Sequence, residues 1–384
     1  MVGAILSPHC FANLGIITLS IPIIELLDAS PFISQAEFYS ACFFDLCYFI
    51  MTSTTSFLEL APQRLSPGAA PCACVDVGGT KVAIAIATSN GILGKVIEPT
   101  ATSGPQDALG QQIVRMVAQS CELAGVDRQS VQKVGVSSCG PFIKTPQGIE
   151  LAAPNICGGL AGKARGLPND WPSAILEAPL RAAFQSVRVA NDGVGALEAE
   201  RRWGALQDAN GKGLDNCAYV TWSTGIGAGL CIDGVVLQGK NGNAGHAGHS
   251  FASSNNDALC GCGSIGDVEA LVAGNAIPRR FGHLGYQDAA ALFNAYRAGQ
   301  NQAQTIVEEL CDIMGRMMFN LIAIGDISKI SVGGSVFWHN QDILLEPLRR
   351  HALSRLPSLT NTVEIVPAGL GEKVGDFAAL ALVA

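Results

Sequence analysis

Basic residues are scarce in this sequence, and they form no run. Its 384 residues include 24 Lys and Arg against 32 Asp and Glu, which gives a formal net charge of -8. A protein that binds DNA or RNA needs clustered positive charge to follow the phosphate backbone. The sequence therefore predicts that nucleic acid is not a partner.

The sequence also lacks the pattern of a disulfide-stapled secreted domain. Its 13 cysteines are scattered singly or as Cys72-x-Cys74 and Cys260-x-Cys262. The chain is far longer than such secreted domains, so this spacing favours reduced thiols. We therefore expect a cytoplasmic protein.

The first 63 residues contain no Lys or Arg, and their composition differs from the rest. The apolar run 11–27 is interrupted by Asn13, Pro22 and Glu25. It therefore fits neither a secretory signal, which needs a positive flank, nor a spanning helix of about 20 apolar residues. We expect residues 1–70 to be an extra segment, either disordered or upstream sequence read from an early start codon before Met51. A membrane anchor is the alternative, and we expect no membrane partner.

The remaining sequence predicts alternating strands and helices. The whole chain is 48% hydrophobic and contains 44 glycines, and its length and apolar content are enough to form two packed domains. Apolar runs between turn residues predict strands at 72–77, 82–87, 92–97, 131–137, 187–190, 217–222, 229–237 and, last, 330–332. Apolar residues at helical spacing predict helices at 107–124, 193–203 and 305–324. The predicted fold class is α/β.

A glycine turn joins the first two predicted strands in the sequence Asp76-Val77-Gly78-Gly79-Thr80-Lys81. Gly78 and Gly79 have no side chains, so backbone N–H groups can approach a phosphate there. Asp76 is suited to hold Mg²⁺ through water, and Thr80 and Lys81 to meet the terminal phosphates of ATP. The alternative is an ordinary Gly-Gly hairpin that happens to end in lysine.

A second glycine turn, Ser223-Thr224-Gly225-Ile226-Gly227, also links two predicted strands and begins with two hydroxyls. Two such hairpins indicate a duplicated fold of the actin-like kind, in which each half supplies one phosphate-binding turn. We expect Thr224, Gly225 and Gly227 to bind phosphate, and Gly333 and Gly334, after a strand, to border the adenosine. No Walker A sequence is present.

Asn191 and Asp192 follow the predicted strand 187–190. The C-terminal ends of strands in open α/β sheets are where ligand-binding groups lie. Asp192 is our candidate catalytic base, since a carboxylate there can accept the proton of a hydroxyl that attacks the γ-phosphate. The alternative is that Asp192 only caps the helix that follows.

Histidine and cysteine residues cluster in the most distinctive stretch of the sequence. His249, Cys260 and Cys262, with Asp267 as a fourth ligand, offer the tetrahedral N, S and O chemistry of a structural zinc site. The alternative is that the two thiols are simply buried as small apolar groups.

Together these motifs closely resemble the ROK family of sugar kinases and repressors, from about Ala73 to the C-terminus. The resemblance implies an actin-like (RNase H-like) ATPase fold with two α/β domains around a nucleotide and sugar cleft. The expected domains are 71–188 and 189–373, and a C-terminal helix at 374–384 would complete the first of them. It also implies that sugar is bound by Asn155, Asn191, Asp192, His246, His249 and Glu269. The alternative role for Glu269 is at the start of a helix, where a carboxylate interacts favourably with the helix dipole.

Two positions depart from the usual pattern of the family. His246 stands where most of its sugar kinases carry glutamate, and in this the sequence resembles bacterial N-acetylmannosamine kinases. The resemblance therefore implies ATP-dependent phosphorylation of N-acetylmannosamine at the 6-hydroxyl, in sialic acid breakdown. A glucokinase or fructokinase acting on a neutral hexose is the alternative, and a sugar-sensing regulator is a more remote one. Asp267 stands where the family has a third cysteine. Expected partners are the sugar, MgATP and a second copy of the chain, as a homodimer or higher oligomer.

Overall fold

The computed structural model describes residue 65 and residues 68–161, 166–253 and 258–384. The predicted extra segment 1–70 lies almost wholly outside the described residues. Residues Ala61–Ala384 form one compact unit. Within the described part, no helix has the length and apolar character needed to cross a membrane.

Thirteen strands are present among the described residues. They are β1 (Cys72–Val77), β2 (Lys81–Thr88), β3 (Gly91–Pro99), β4 (Lys133–Ser138), β5 (Phe142–Thr145), β6 (Gly148–Leu151), β7 (Ala174–Ile175), β8 (Ser186–Asn191), β9 (Cys217–Trp222), β10 (Ile226–Ile232), β11 (Val235–Val236), β12 (Lys329–Gly333) and β13 (Glu364–Pro367).

Twelve α-helices are present in the same part of the chain. They are α1 (Ala108–Ala124), α2 (Gly158–Ala161), α3 (Glu177–Ala183), α4 (Asp192–Trp203), α5 (Val268–Val272), α6 (Ala276–Phe281), α7 (Ala289–Arg297), α8 (Asn301–Gly325), α9 (Ser335–Trp338), α10 (Gln341–Leu353), α11 (Pro357–Thr360) and α12 (Val374–Ala381). Short 3-10 turns occur at Arg128–Ser130, Ala247–His249, Gly282–Leu284 and Gly371–Lys373.

The first large sheet has the strand order β3-β2-β1-β4-β8. β1, β2 and β3 form an antiparallel meander, whereas β4 pairs parallel with both β1 and β8. α1 packs on β2 and β3 through a buried apolar stripe that includes Ile113, Met116 and Val117. It ends at Gly125, whose φ of 66° is left-handed and favours glycine. The predicted meander and helix are confirmed.

The second large sheet repeats this plan, with the order β11-β10-β9-β12-β13. β9 and β10 are antiparallel, and β12 pairs parallel with β9 and β13. In both sheets an antiparallel hairpin is therefore followed by a parallel strand against its first member. The repetition brings the two glycine turns to equivalent places in the two sheets.

The observed strands differ from the predicted ones in three places. The predicted strand 229–237 pairs with β9 as expected but is two strands, because β10 ends at Ile232 and a turn at Asp233 and Gly234, both with positive φ, separates it from β11. The predicted strand 330–332 before Gly333 and Gly334 is confirmed as part of β12, but β13, which follows and pairs with β12, was not predicted. A third sheet of order β5-β6-β7 was not predicted.

Two helices connect the large sheets. α4 begins directly after β8 of the first sheet and packs against β9 and β10 of the second. α12 packs against α4 and against β1 and β4. Gly193 makes the contact of α4 with β10 possible, because a Cβ there would lie 2.6 Å from the carbonyl oxygen of Ala228. α12 thus lies on the first sheet, but the predicted division at 188/189 stays a prediction.

Candidate active site

Each glycine turn is held by neighbouring backbone. In the first turn, the Gly78 N–H donates to the Lys81 carbonyl over 2.9 Å. Gly79 lies so close to the Asn155 side-chain amide that any Cβ at this position would overlap it. In the second turn, the Ser223 N–H donates to the Gly225 carbonyl over 3.0 Å. Gly225 of this turn lies against the Glu269 carboxylate in the same way, so neither Gly79 nor Gly225 has room for a side chain.

Two cavities lie beside these turns, with volumes of about 580 Å³ and 540 Å³. The predicted residues that line the first are Gly78, Gly79, Asn155, Asn191, Asp192, Thr224, Gly225, Gly227, His246, His249, Cys262 and Glu269. The predicted residues that line the second are Asp76, Asp192 and Gly334. Asp192 therefore lies where the two cavities adjoin.

Five of the predicted site residues line neither cavity. They are Thr80, Lys81, Gly333, Cys260 and Asp267. Lys81 is exposed at the start of β2, and Gly333 is buried against the Tyr219 hydroxyl. Contact of Thr80 and Lys81 with the phosphates, and of Gly333 with adenosine, stays a prediction.

Asp192 is the first residue of α4, but it is not the N-cap. Asn191 is the N-cap, and its Oδ1 accepts a hydrogen bond from the Gly193 N–H at 3.1 Å. Asp192 Oδ1 accepts from the same N–H at 2.8 Å. The interpretation of Asp192 as the cap is wrong, since its neighbour holds that position. The Asp192 side chain is exposed to the cavities.

Two aspartates of the cleft, Asp192 and Asp76, have raised pKa values. Enclosure by protein atoms raises the pKa of Asp192, although the hydrogen bond from Gly193 and the nearby His246 oppose this. Burial, followed by the charge of Asp192 and then that of Asp376, raises the pKa of Asp76 to about 6. The cleft is therefore short of positive charge. Its carboxylate oxygens are also the ligands that Mg²⁺ takes, so the donor chemistry fits this ion.

His246 forms part of the wall of the first cavity. Its Nδ1 lies 3.0 Å from the carbonyl oxygen of Asn243, so Nδ1–H donates a hydrogen bond to that oxygen. Gly140 gives the ring room, because a Cβ there would lie 2.7 Å from Nε2. The Asn243 side chain in turn bonds both backbone groups of Phe142, at 2.7 Å to its N–H and 2.8 Å to its carbonyl. This clasp joins the segment before His246 to β5.

Glu269 connects the second glycine turn to the segment that contains Cys260 and Cys262. Its Oε2 accepts a hydrogen bond from the Ile226 N–H at 2.9 Å and lies against Gly225. Its Oε1 lies 3.7 Å from the Cys260 sulfur. Glu269 lies in the first turn of α5, whereas Asp267 is the N-cap. The carboxylate is thus held at the cavity wall in addition to lying at a helix start.

The four predicted metal ligands lie together. Their ligand atoms are all within 4.8 Å of one another. His249 Nδ1 is 3.1 Å from Asp267 Oδ2 and 3.7 Å from Cys260 Sγ, and Cys262 Sγ is 3.5 Å from Asp267 Oδ2. A tetrahedral zinc ion with bonds of about 2.0–2.3 Å separates its ligands by roughly 3.3–3.8 Å, so the cluster fits zinc. Zinc occupancy stays a prediction.

Several residues of the cavities were not predicted from the sequence. The first cavity is also lined by Cys139, Asn275 and Arg279. The second is also lined by Tyr219, Trp338, His339 and Glu372. Trp338 ends the short helix α9 that begins after Gly334, and His339 is its C-cap, so the glycine pair was the one local signal for them. The others come from segments that no motif marked.

Comparison with known proteins gives both a glucose-acting and an amino-sugar-acting relative. The chain is 28% identical over 327 residues to a glucokinase of Aeropyrum pernix, covering 80% of this chain and 95% of that protein. It is 31% identical over 270 residues to an N-acetylmannosamine kinase of Salmonella typhi, covering 68% of this chain and 82% of that protein.

A solved structure and a family match agree with the predicted fold. The structure of a ROK family glucokinase from Streptomyces griseus with glucose and AMPPNP has a TM-score of 0.61 and 26% identity, covering 80% of this chain and 97% of that one. The predicted actin-like α/β fold is thereby confirmed. A sequence model of the ROK family matches residues 72–384. The chain therefore belongs to the ROK family.

Proposed function

We propose that this ROK family protein is a cytoplasmic sugar kinase that transfers the γ-phosphate of MgATP to the 6-hydroxyl of N-acetylmannosamine. One observation carries the proposal: Asp192 lines both cavities. A carboxylate at that junction reaches a sugar in the first cavity and the end of a nucleotide in the second. General-base catalysis of phosphoryl transfer needs a base in that position.

Asp192 acts as the base in the proposed reaction. The sugar hydroxyl gives its proton to the carboxylate as its oxygen bonds to the γ-phosphorus. The bond from that phosphorus to the bridging oxygen breaks, and ADP leaves with the electron pair. Asp76 is the residue that would hold Mg²⁺, which supplies positive charge to the phosphate oxygens when bound. A raised pKa suits Asp192 for accepting a proton near neutral pH.

The second cavity is the proposed nucleotide site. Gly334 and Trp338 line it, and His339 and Glu372 stand at 3.6 Å from each other across its lining. An indole offers a flat apolar surface on which a purine can stack. The glycine turns line the first cavity, so their backbone N–H groups would receive the terminal phosphate where the two cavities adjoin.

The first cavity is the proposed sugar site. It is lined by the amides of Asn155 and Asn191, the imidazoles of His246 and His249, and the carboxylate of Glu269. Such groups pair with sugar hydroxyls as donors and acceptors. His249 directs Nδ1 to the cysteine cluster. Zinc bound there would supply structural cross-linking of the loop.

His246 is the basis for choosing N-acetylmannosamine within the sugar kinases. Its Nδ1 is engaged by the Asn243 carbonyl, and an imidazole ring replaces the carboxylate found in most sugar kinases that the sequence resembles. An amide substituent is therefore met by an imidazole rather than by a negative charge. The Salmonella typhi relative supports this choice. The Aeropyrum pernix relative supports the second candidate, a glucokinase.

The test is ADP release by the full chain, measured by a coupled assay with MgATP in excess. N-acetylmannosamine, N-acetylglucosamine, glucose and fructose are compared by kcat/KM. We expect N-acetylmannosamine to be preferred at least tenfold, and a preference for glucose or fructose would replace the proposed substrate while keeping the activity. Asp192→Asn is the matched control, which should lower kcat by roughly 10²-fold to 10⁴-fold while sugar binding by calorimetry persists. Sugar binding by wild-type chain with no turnover on any sugar would instead support a sensor.

A further inference from the structure

The side chains around the two cavities carry mostly negative charge. Asp192 and Glu269 line the first cavity, and Asp76 and Glu372 line the second. Among the described residues that line either cavity, Arg279 is the only Lys or Arg. A triphosphate entering this cleft therefore meets one permanently charged cationic side chain.

Arg279 is placed beside the second glycine turn by a chain of hydrogen bonds. The Gly274 N–H donates to the Ser223 carbonyl at 2.8 Å, and the Asn275 N–H donates to the Thr224 carbonyl at 3.3 Å. Arg279 lies one helical turn further along α6, and its Nη2 donates to Asn275 Oδ1 at 2.9 Å. The turn, Asn275 and Arg279 thus form one connected unit.

The guanidinium of Arg279 is positioned without being neutralised. Its partner Asn275 is an uncharged amide, and no carboxylate of the described residues forms an ion pair with it. The adjacent Arg280 differs: it pairs with Glu309 at 2.6 Å and stacks over Phe281 at 4.5 Å. Arg280 therefore has a structural partner, whereas Arg279 is exposed at the cavity with donors to spare.

We propose that Arg279 contacts the terminal phosphate of ATP and stabilises the negative charge on the phosphoryl group during transfer. The inference rests on the proposed kinase function and adds a catalytic residue to it. A guanidinium can donate two parallel hydrogen bonds to phosphate oxygens, and its charge is worth most where water is excluded. The glycines of the two turns contribute only neutral N–H groups, and Lys81 lines neither cavity, so Arg279 supplies a positive charge that these linings otherwise lack.

The experiment compares Arg279→Gln and Arg279→Lys with the wild-type full chain. Arg188→Gln serves as the control, because Arg188 is exposed on β8 and lines neither cavity. We expect Arg279→Gln to lower kcat by about 10²-fold or more, as for loss of a phosphate-clamping arginine. The KM for the sugar and the unfolding temperature should stay near the wild-type values. Arg279→Lys should retain part of the lost rate, since it keeps the charge but loses the bidentate geometry.

Nucleotide binding by calorimetry separates this inference from the proposed function. Affinity for AMPPNP should fall at least fivefold in Arg279→Gln, while affinity for AMP stays unchanged. This holds even if the wild-type chain turns over none of the sugars, in which case the kinase proposal fails and the phosphate contact is still tested. A kcat within threefold of wild type together with unchanged AMPPNP affinity would overturn the inference. A selective rise in sugar KM would also overturn it, by assigning Arg279 to the sugar.

Discussion

Glu200 should be among the residues on which the stability of this fold depends most. It lies on α4, and its side chain is fully buried at 0% exposure. Its carboxylate accepts four hydrogen bonds of 2.9 Å, from the N–H groups of Ala205, Gly369 and Leu370 and from the hydroxyl of Ser331. These donors join the end of α4, β12 and the loop that leads to α12.

The expected cost of Glu200→Ala follows from those four bonds. A hydrogen bond to a charged group contributes about 1.5–3 kcal/mol, and donors left buried without a partner add their own desolvation cost. Part of this is offset because a buried carboxylate is no longer removed from water. We expect a net loss of about 3–5 kcal/mol. For a domain of 150–250 residues this corresponds to a melting temperature lower by roughly 6–20 °C.

Thermal unfolding followed by circular dichroism measures this loss in the full chain. Glu198→Ala is the matched control, because Glu198 lies on the same helix but is 24% exposed and pairs with Arg201 only at 3.9 Å. It should cost less than about 1 kcal/mol. If Glu200→Ala proved no more destabilising than Glu198→Ala, the buried network would not hold the sheet, helix and loop together as argued.

Three further predictions concern the cleft and its surroundings. The folded state of the wild-type chain binds more protons at Asp76 than the unfolded state between about pH 4 and pH 6, so its stability falls as pH rises through this window. Asp76→Asn should therefore unfold at a higher temperature above pH 6, because its free energy of unfolding is larger there by up to about 3 kcal/mol. It should show no gain below pH 4, and an equal gain at both pH values would contradict the assignment. Asn243→Ala should raise the KM for the sugar several-fold with a smaller change in kcat, since it removes both bonds to Phe142 beside His246; unchanged steady-state kinetics would show that the clasp does not shape the sugar site. Cys262→Ser should lower the zinc content measured by mass spectrometry of metals, and equal zinc in both proteins would exclude Cys262 as a ligand.

The two glycine hairpins were predictable because their signal is local. Gly78 and Gly79 stand between two apolar runs, and the observed strands β1 and β2 differ from the predicted ranges by one residue at most. The predicted strand 229–237 is two strands in the structure, and a local signal for the turn between them was present. Asp233-Gly234 is a dipeptide that favours a tight turn, and the turn forms. The prediction gave more weight to the apolar residues on either side of it and therefore joined the two strands into one.

The small sheet was not predictable, because its strands are too short to carry a pattern. β5 and β6 have four residues each, and β7 has two. At that length, pairing with distant chain decides whether a segment is extended, and local preference carries little weight. The same applies to the clasp, since Asn243 and Phe142 lie 101 positions apart. No spacing within a motif encodes such a contact.

The predicted site residues came together for a topological reason. Asp76 lies near the end of β1, and Asp192 directly follows the end of β8. Both strands run parallel to β4, so their ends bring the two carboxylates to the same edge of the sheet. Arg279 escaped prediction because its place depends on how α6 attaches to the second turn through Asn275. Sequence motifs therefore revealed groups at strand ends and missed a group brought in by packing.

The position of Asp192 explains why the cleft is electrostatically costly without ligand. α4 must begin where β8 ends and then pack against β10, so its first residue lies between the sheets. Asn191 supplies the cap, which leaves Asp192 exposed to both cavities and close enough to Asp76 to raise its pKa. Two carboxylates that repel each other destabilise the empty protein, and folds retain such arrangements mainly at functional sites. The Mg²⁺ that accompanies ATP would relieve this repulsion. The repulsion between the two carboxylates therefore favours binding of MgATP, the substrate that the proposed function requires.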